Sequence, residues 1–333
     1  MYTSIYTEKV PVLIEQLVGT SEMQRLADIG MHCGCEYPKF TFYQRAKTPY
    51  RRLIHSVGVS MIVWNFTHDL RQAVAGLFHD IATPVFAHTV DFMRGDHLTQ
   101  ESTEDKTLSF IENSKEITKL LKQYHIGIEE VSDYHIYPIA DNDTPMLSAD
   151  RLEYTIGNGF CVYNLELLAL KEIYQDLTIT LNEYGNEELC FQTIEAAKKF
   201  TEISLNNSRF FVSEEDRFSM QYLADILHLA LEKGVLLPKD LYLTETEVIK
   251  KLNNDQSLSG MWRQFTEVSA VSVSPDKPIN HYSVNISAKK RYIDPLVLVE
   301  NSPRRLTAID SGIRDQIQSF LELDFNHWIF AAE

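Results

Sequence analysis

Two apolar stripes at helical spacing, each ending on chemistry-bearing side chains, constrain this chain more than any other feature. Ile54, Val57, Met61 and Ile62 recur on one helix face, and Leu70, Val74, Leu77 and Phe78 on another. The spacing predicts two antiparallel core helices. The dipeptide His68-Asp69 falls between them and reads as an exposed interhelix turn, whereas a second dipeptide, His79-Asp80, follows the apolar approach Leu77-Phe78. Pro84 comes soon after, and proline, lacking an amide donor and restricting the residue before it, ends or kinks the second helix there. Successive side chains diverge on a regular helix, so His79 and Asp80 reach one point together only near such an end.

His55 rides on the first helix, and a helix predicted over 150–157, stopped by Gly157 and Gly159, begins with Asp150. Two imidazoles and two carboxylates are a complete ligand set for one divalent ion. Histidines also crowd this region, since five of the eleven lie between residues 55 and 97. The isolated His228, His281 and His327 carry no such weight. The mixed donor set favours Fe, Mn, Zn or Ni over Mg and leaves positions for water and a substrate oxygen. The segment from Ser132 to Ser148, with Pro138 and Pro145, reads as a surface loop that delivers Asp150 and is long enough to act as a lid.

The residues around these ligands are Arg52-Leu53-Ile54-His55-Ser56-Val57-Gly58-Val59, then Leu77-Phe78-His79-Asp80-Ile81, then Ser148-Ala149-Asp150-Arg151-Leu152-Glu153-Tyr154. Over residues 45 to 160 the chain resembles the HD-domain phosphohydrolase superfamily, and within it the branch of the deoxynucleoside triphosphate triphosphohydrolases. The resemblance implies one divalent metal ion on His55, His79, Asp80 and Asp150, a phosphate contact from Arg52, a weaker one from Arg45, and a sugar contact from Tyr154. It also implies catalytic roles for His88, Asp91 and His97. Where that branch has a Gly-His pair after the His-Asp dipeptide, this chain has Ala82 and Thr83, so a threonine that cannot donate a proton near neutral pH stands at a substrate-facing position and the acid role passes to His88 or His97.

Beyond residue 160 the pattern predicts a hairpin over 177–191, helices over 194–200, 220–231 and 238–252, a small antiparallel sheet within 265–299, and a last helix over 308–321. The fold class is mainly α: an HD-domain helical core over 1–200 with the metal site, and a small β-containing C-terminal region over 201–333 packed on it. The formal net charge of -16 makes nucleic acid an unlikely partner but leaves room for a local basic pocket. Lys289, Lys290 and Arg291 read as a solvated strand edge, with a regulatory phosphate site as the alternative. Four scattered cysteines and the lack of a signal or membrane-spanning segment point to a reduced, cytoplasmic protein. The implied activity is hydrolysis of a nucleotide or related small phosphate ester by metal-activated water, in a chain whose relatives of that branch are often homo-oligomers. The alternative is a nucleotide-binding regulatory protein that keeps the metal with little or no turnover.

Overall fold

A computed structural model describes residues 2–7, 9–95, 98 and 106–332. The two predicted helices form as Arg52–Thr67 and Leu70–Phe78. His68 closes the first with a left-handed backbone (φ 52°), and the Asp69 carboxylate caps the second by accepting the Arg71 amide at 2.8 Å. The His68-Asp69 pair is therefore the turn itself. The helices cross closely because the Ser60 hydroxyl donates to the Ala73 carbonyl at 2.8 Å and Gly76 lies against Val59 and Val63.

A third helix, Ala149–Cys161, packs on the first. It runs through Gly157 and Gly159, contrary to the predicted stop, and Gly159 serves packing: a Cβ there would lie 3.1 Å from Leu170. Ser148 caps its N-terminus by accepting the Arg151 amide. Downstream, helix 194–200 extends to Ile194–Phe210 and helix 220–231 to Glu214–Glu232, while Pro238–Tyr242 is a 3₁₀ turn before the helix Glu245–Asn253. The last helix spans Ser311–Leu321.

The strands are more extensive than the sequence pattern suggests. β1 (Leu177–Leu181) and β2 (Glu187–Phe191) form the predicted hairpin, but β3 (Val271–Ser274), β4 (Ser283–Val284), β5 (Leu296–Val299), β6 (Ser302–Arg305) and β7 (Trp328–Ala331) complete two sheets rather than one. Their orders are β1-β2-β5-β6 and β3-β7-β4, with β2 and β5 parallel and the remaining pairs antiparallel. A lone hairpin with a buried face is marginal in water, and β5 and β6 supply its missing neighbours. Arg305 of β6 holds both oxygens of the buried Glu188 at 2.6 and 2.8 Å, and Glu188 in turn accepts the Leu147 amide at 3.0 Å, three residues before Asp150. Thus the sheet anchors the end of the loop that delivers a candidate ligand.

Residue 200 lies inside the helix Ile194–Phe210, and one hydrophobic cluster runs from Ile5 to Ile329. Phe200 is fully buried in it, its ring 5.3 Å from that of Phe191. Among the described residues no helix is long and apolar enough to cross a membrane. Phe200→Ala is expected to cost about 3–5 kcal/mol through the cavity it leaves. Calorimetry should show one transition, shifted down, for the whole chain; two separable transitions in the wild type would contradict a shared core.

Candidate metal centre

The centre begins with a tautomer. His55 is buried on the first helix, and its Nδ1 lies 2.6 Å from Oε2 of Glu153 on the third helix. Glu153 is fully buried and also accepts the hydroxyls of Tyr50 at 2.5 Å and Tyr6 at 3.4 Å, so burial and this carboxylate raise both phenols well above their ordinary range. With Nδ1–H donated to Glu153, the lone pair of His55 sits on Nε2 and faces inward.

His79 repeats the device with backbone. It caps the C-terminus of the second helix, and its Nδ1 lies 2.7 Å from the Gly76 carbonyl, which leaves Nε2 as its inward lone pair too. The two Nε2 atoms are 3.1 Å apart. Asp150 Oδ1 lies 2.9 Å from the first and 3.7 Å from the second; Asp80 Oδ2 lies 3.9 and 3.4 Å from them. Neighbouring donors about 2.1 Å from one ion stand roughly 3 Å apart, so the atoms of His55, His79 and Asp80 fit one divalent cation. His55, His79 and Asp80 each bring a ligand atom within 4.8 Å of the others, and Asp150 approaches from the third helix.

The pocket demands positive charge. Burial disfavours a charged His55, yet hydrogen bonds to Asp150 and Glu153 overcome it and lift the imidazole to about 10. Burial alone would also raise Asp80, but Arg52 and the two imidazoles hold its carboxyl well below the usual range. Arg52 Nη1 lies 2.8 Å from each oxygen of Asp80, and the Thr83 hydroxyl donates to Oδ1 at 2.6 Å. The turn bearing Asp80 is clamped from outside by Arg25, whose Nη2 donates to the carbonyls of Ile81 at 2.9 Å and Thr83 at 2.7 Å.

These groups open onto a cavity of about 920 Å³. His88 and Tyr154 line it, as do Arg52 and Thr83. His88 Nδ1 lies 2.8 Å from Oδ2 of the buried Asp91, and burial lowers the imidazole below its ordinary pKa despite that partner. Burial lifts the Tyr154 phenol to about 12. Arg45 is exposed and does not line this cavity. His97 lies outside the described residues.

Four side chains at this site were not assigned to it by the sequence. Glu153 was visible three residues after Asp150, a spacing that puts both carboxylates on one helix face. His32, lowered to about 4 by burial, lines the cavity and pairs with Asn158 Oδ1 at 2.8 Å. Lys289 and Arg291 line it as well, so they are not a solvated strand edge.

No family model matches the chain. The uncharacterized protein YdhJ of Bacillus subtilis is 24% identical over 307 residues, spanning 91% of this chain and 89% of that protein. The metal-dependent phosphohydrolase cns2 of Cordyceps militaris is 27% identical over 176 residues, 52% of this chain and 48% of cns2. A solved structure of a hypothetical protein from Aquifex aeolicus and one of a phosphohydrolase from Bacteroides thetaiotaomicron both superpose with a TM-score of 0.67, covering 97% of this chain at 16% and 15% identity and 93% and 96% of theirs. The solved structures share the fold of this chain, and the relative named as a metal-dependent phosphohydrolase is similar to it over about half its length. In this chain His55 is held by a carboxylate from the helix that also carries Asp150.

Gly58 makes that arrangement sterically feasible, because a Cβ there would lie 2.5 Å from Glu153 Oε1 and 2.6 Å from its Cγ. Glu153→Gln removes the anionic acceptor of His55 and is expected to weaken metal affinity roughly 10- to 100-fold in chelator competition. Gly58→Ala should act in the same direction by displacing Glu153. Unchanged affinity in both variants would remove the role assigned to Glu153.

Proposed function

We propose that the protein is a metal-dependent phosphohydrolase that cleaves a small phosphate ester, with a nucleotide as the substrate class that fits best. The convergence of two oriented imidazoles and two carboxylates beside a buried arginine is the observation that carries this reading. A divalent transition metal on His55, His79, Asp80 and Asp150 supplies Lewis acidity and water activation. The chain's own residues do the rest.

Arg52 keeps one nitrogen on Asp80 and lines the cavity, so its positive charge stands beside the volume a phosphoryl group would occupy. His88, with Nδ1 committed to Asp91, is left with Nε2 for taking and returning a proton. The volume of about 920 Å³ lies near the upper end for small-molecule sites and accommodates a nucleotide, with Tyr43, Phe92, Tyr154 and Phe211 as aromatic wall. Tyr154 follows Asp150 by one helical turn, which suits a sugar contact beside the reacting group. The relative named as a metal-dependent phosphohydrolase supports the reaction class, while the triphosphohydrolase branch rests on the motif resemblance alone.

Thr83 favours a second reading. Its hydroxyl is spent on Asp80, so it positions a ligand and supplies no acid where the resembled branch has a histidine. A protein that binds a nucleotide over the metal with little turnover is consistent with that.

Metal-loaded protein screened against nucleoside mono-, di- and triphosphates, with orthophosphate and triphosphate release measured separately, distinguishes the two. Turnover abolished by chelation and restored by Mn, Fe, Zn or Ni is expected. Metal-dependent thermal stabilisation by a nucleotide without product would favour the second reading, and neither response would remove both. His88→Gln should lower kcat about 10²- to 10⁴-fold at unchanged metal content. Burial keeps His88 neutral further into acid, so the acidic limb of kcat/KM should fall below the ordinary histidine value of about 6.5. A limb unchanged in His88→Gln would exclude His88 as the proton carrier.

A further inference from the structure

Residues 286–291 run without helix toward β5, and the side chains of Lys289, Lys290 and Arg291 alternate. Lys290 turns away from the site: its ammonium meets the carbonyls of Leu321 at 2.5 Å and Leu323 at 2.6 Å and lies over the Phe325 ring. Lys289 and Arg291 face the other way and form part of the cavity wall. The buried Arg217 pins the start of the segment, its Nη1 donating to the Ile286 carbonyl at 2.8 Å.

Arg291 differs from the other arginines of the cavity. Arg52 is held on Asp80, Arg151 on Asn142 and Asp141, and Arg217 on the Val212 and Ile286 carbonyls and Glu214. Among the described residues Arg291 makes no hydrogen bond and no ion pair. A guanidinium offers five donors in a planar fork, and those of Arg291, half-buried in the cavity wall, are not spent on protein groups. The groups whose fields it feels are Tyr154 first, then Asp150, Cys33 and Arg151, and its own field reaches His88. It therefore shares the cavity wall with a candidate metal ligand and the candidate proton carrier.

We propose that Arg291, with Lys289 beside it on the cavity wall, forms an oxyanion subsite that grips the phosphate group of the substrate. The subsite rests on the phosphohydrolase reading for its role in turnover, but not for its binding of phosphate. Fork geometry matches two oxygens of one phosphate at once, which a lysine ammonium cannot do. It also gives the C-terminal region a chemical part in a site whose metal ligands all come from the first 150 residues.

The probe is orthophosphate, titrated calorimetrically into the metal-loaded full chain. Arg291→Gln is expected to weaken it about 10-fold or more, with metal content and Tm unchanged, and Arg291→Lys to fall between, because it keeps the charge but loses the fork. Ester turnover should show the loss mainly in KM. Phosphate affinity in Arg291→Gln within twofold of wild type overturns the proposal. Should Arg291→Gln lose metal or fold poorly, phenylglyoxal modification of the wild type mapped by mass spectrometry decides: orthophosphate shields Arg291 if the subsite exists, and its absence of protection overturns it. Arginine-dependent phosphate binding without hydrolysis of any ester would sink the phosphohydrolase reading and leave the subsite standing; hydrolysis indifferent to Arg291→Gln would do the reverse.

Discussion

The hydrogen bond between His55 and the fully buried Glu153 carries the rest of the site. It decides which imidazole nitrogen faces inward, and it joins the helix bearing the first ligand to the helix bearing the last. A buried carboxylate without partners would be costly, and here three donors, His55, Tyr50 and Tyr6, surround it. Gly58, one turn beyond His55, leaves the space it occupies. The metal pocket is thus built from behind: the carboxylate lies under the histidine, the histidine faces the ion, and the reacting volume lies beyond.

Around that point the fold separates opposite electrical tasks over a short distance. The net charge of -16 gives the molecule an acidic exterior, yet the cavity collects Arg52, Arg151, Arg217, Lys289 and Arg291 beside its carboxylates. The acidic ligands attract a cation and the arginines attract an anion, and a phosphate ester bound to a divalent ion satisfies both. Residues from the N-terminal turn at His32 to the segment at Arg291 contribute to this wall. That spread accounts for why one continuous core, and not a detachable catalytic half, surrounds the site.

What the sequence disclosed followed the range of the interactions. The two core helices and the His68-Asp69 turn were legible because apolar periodicity and capping act over a few residues, and the four proposed metal donors could be named because their types and flanking motifs are local. The continuation of the third helix through Gly157 and Gly159 was not legible, since it depends on how closely Leu170 approaches from another helix. β6 and β7 were missed for the same reason: Ser302–Arg305 and Trp328–Ala331 become strands by pairing with partners distant in sequence or across a turn. Arg45 looked useful beside the motif but sits outside the cavity, while Arg291 looked idle and lines it. Position in the chain said nothing about either, because only tertiary packing assigns a charged side chain to a wall or to solvent.

The central claim is that four residues from three helical segments hold one divalent ion. Crystals of the metal-supplemented protein, measured for anomalous scattering on both sides of the absorption edge of Fe, Mn, Zn and Ni, test it most directly. The account predicts one strong site per chain, within coordination distance of His55 Nε2, His79 Nε2, Asp80 and Asp150. A peak seated elsewhere, or no peak among those four side chains at saturating metal, would contradict it.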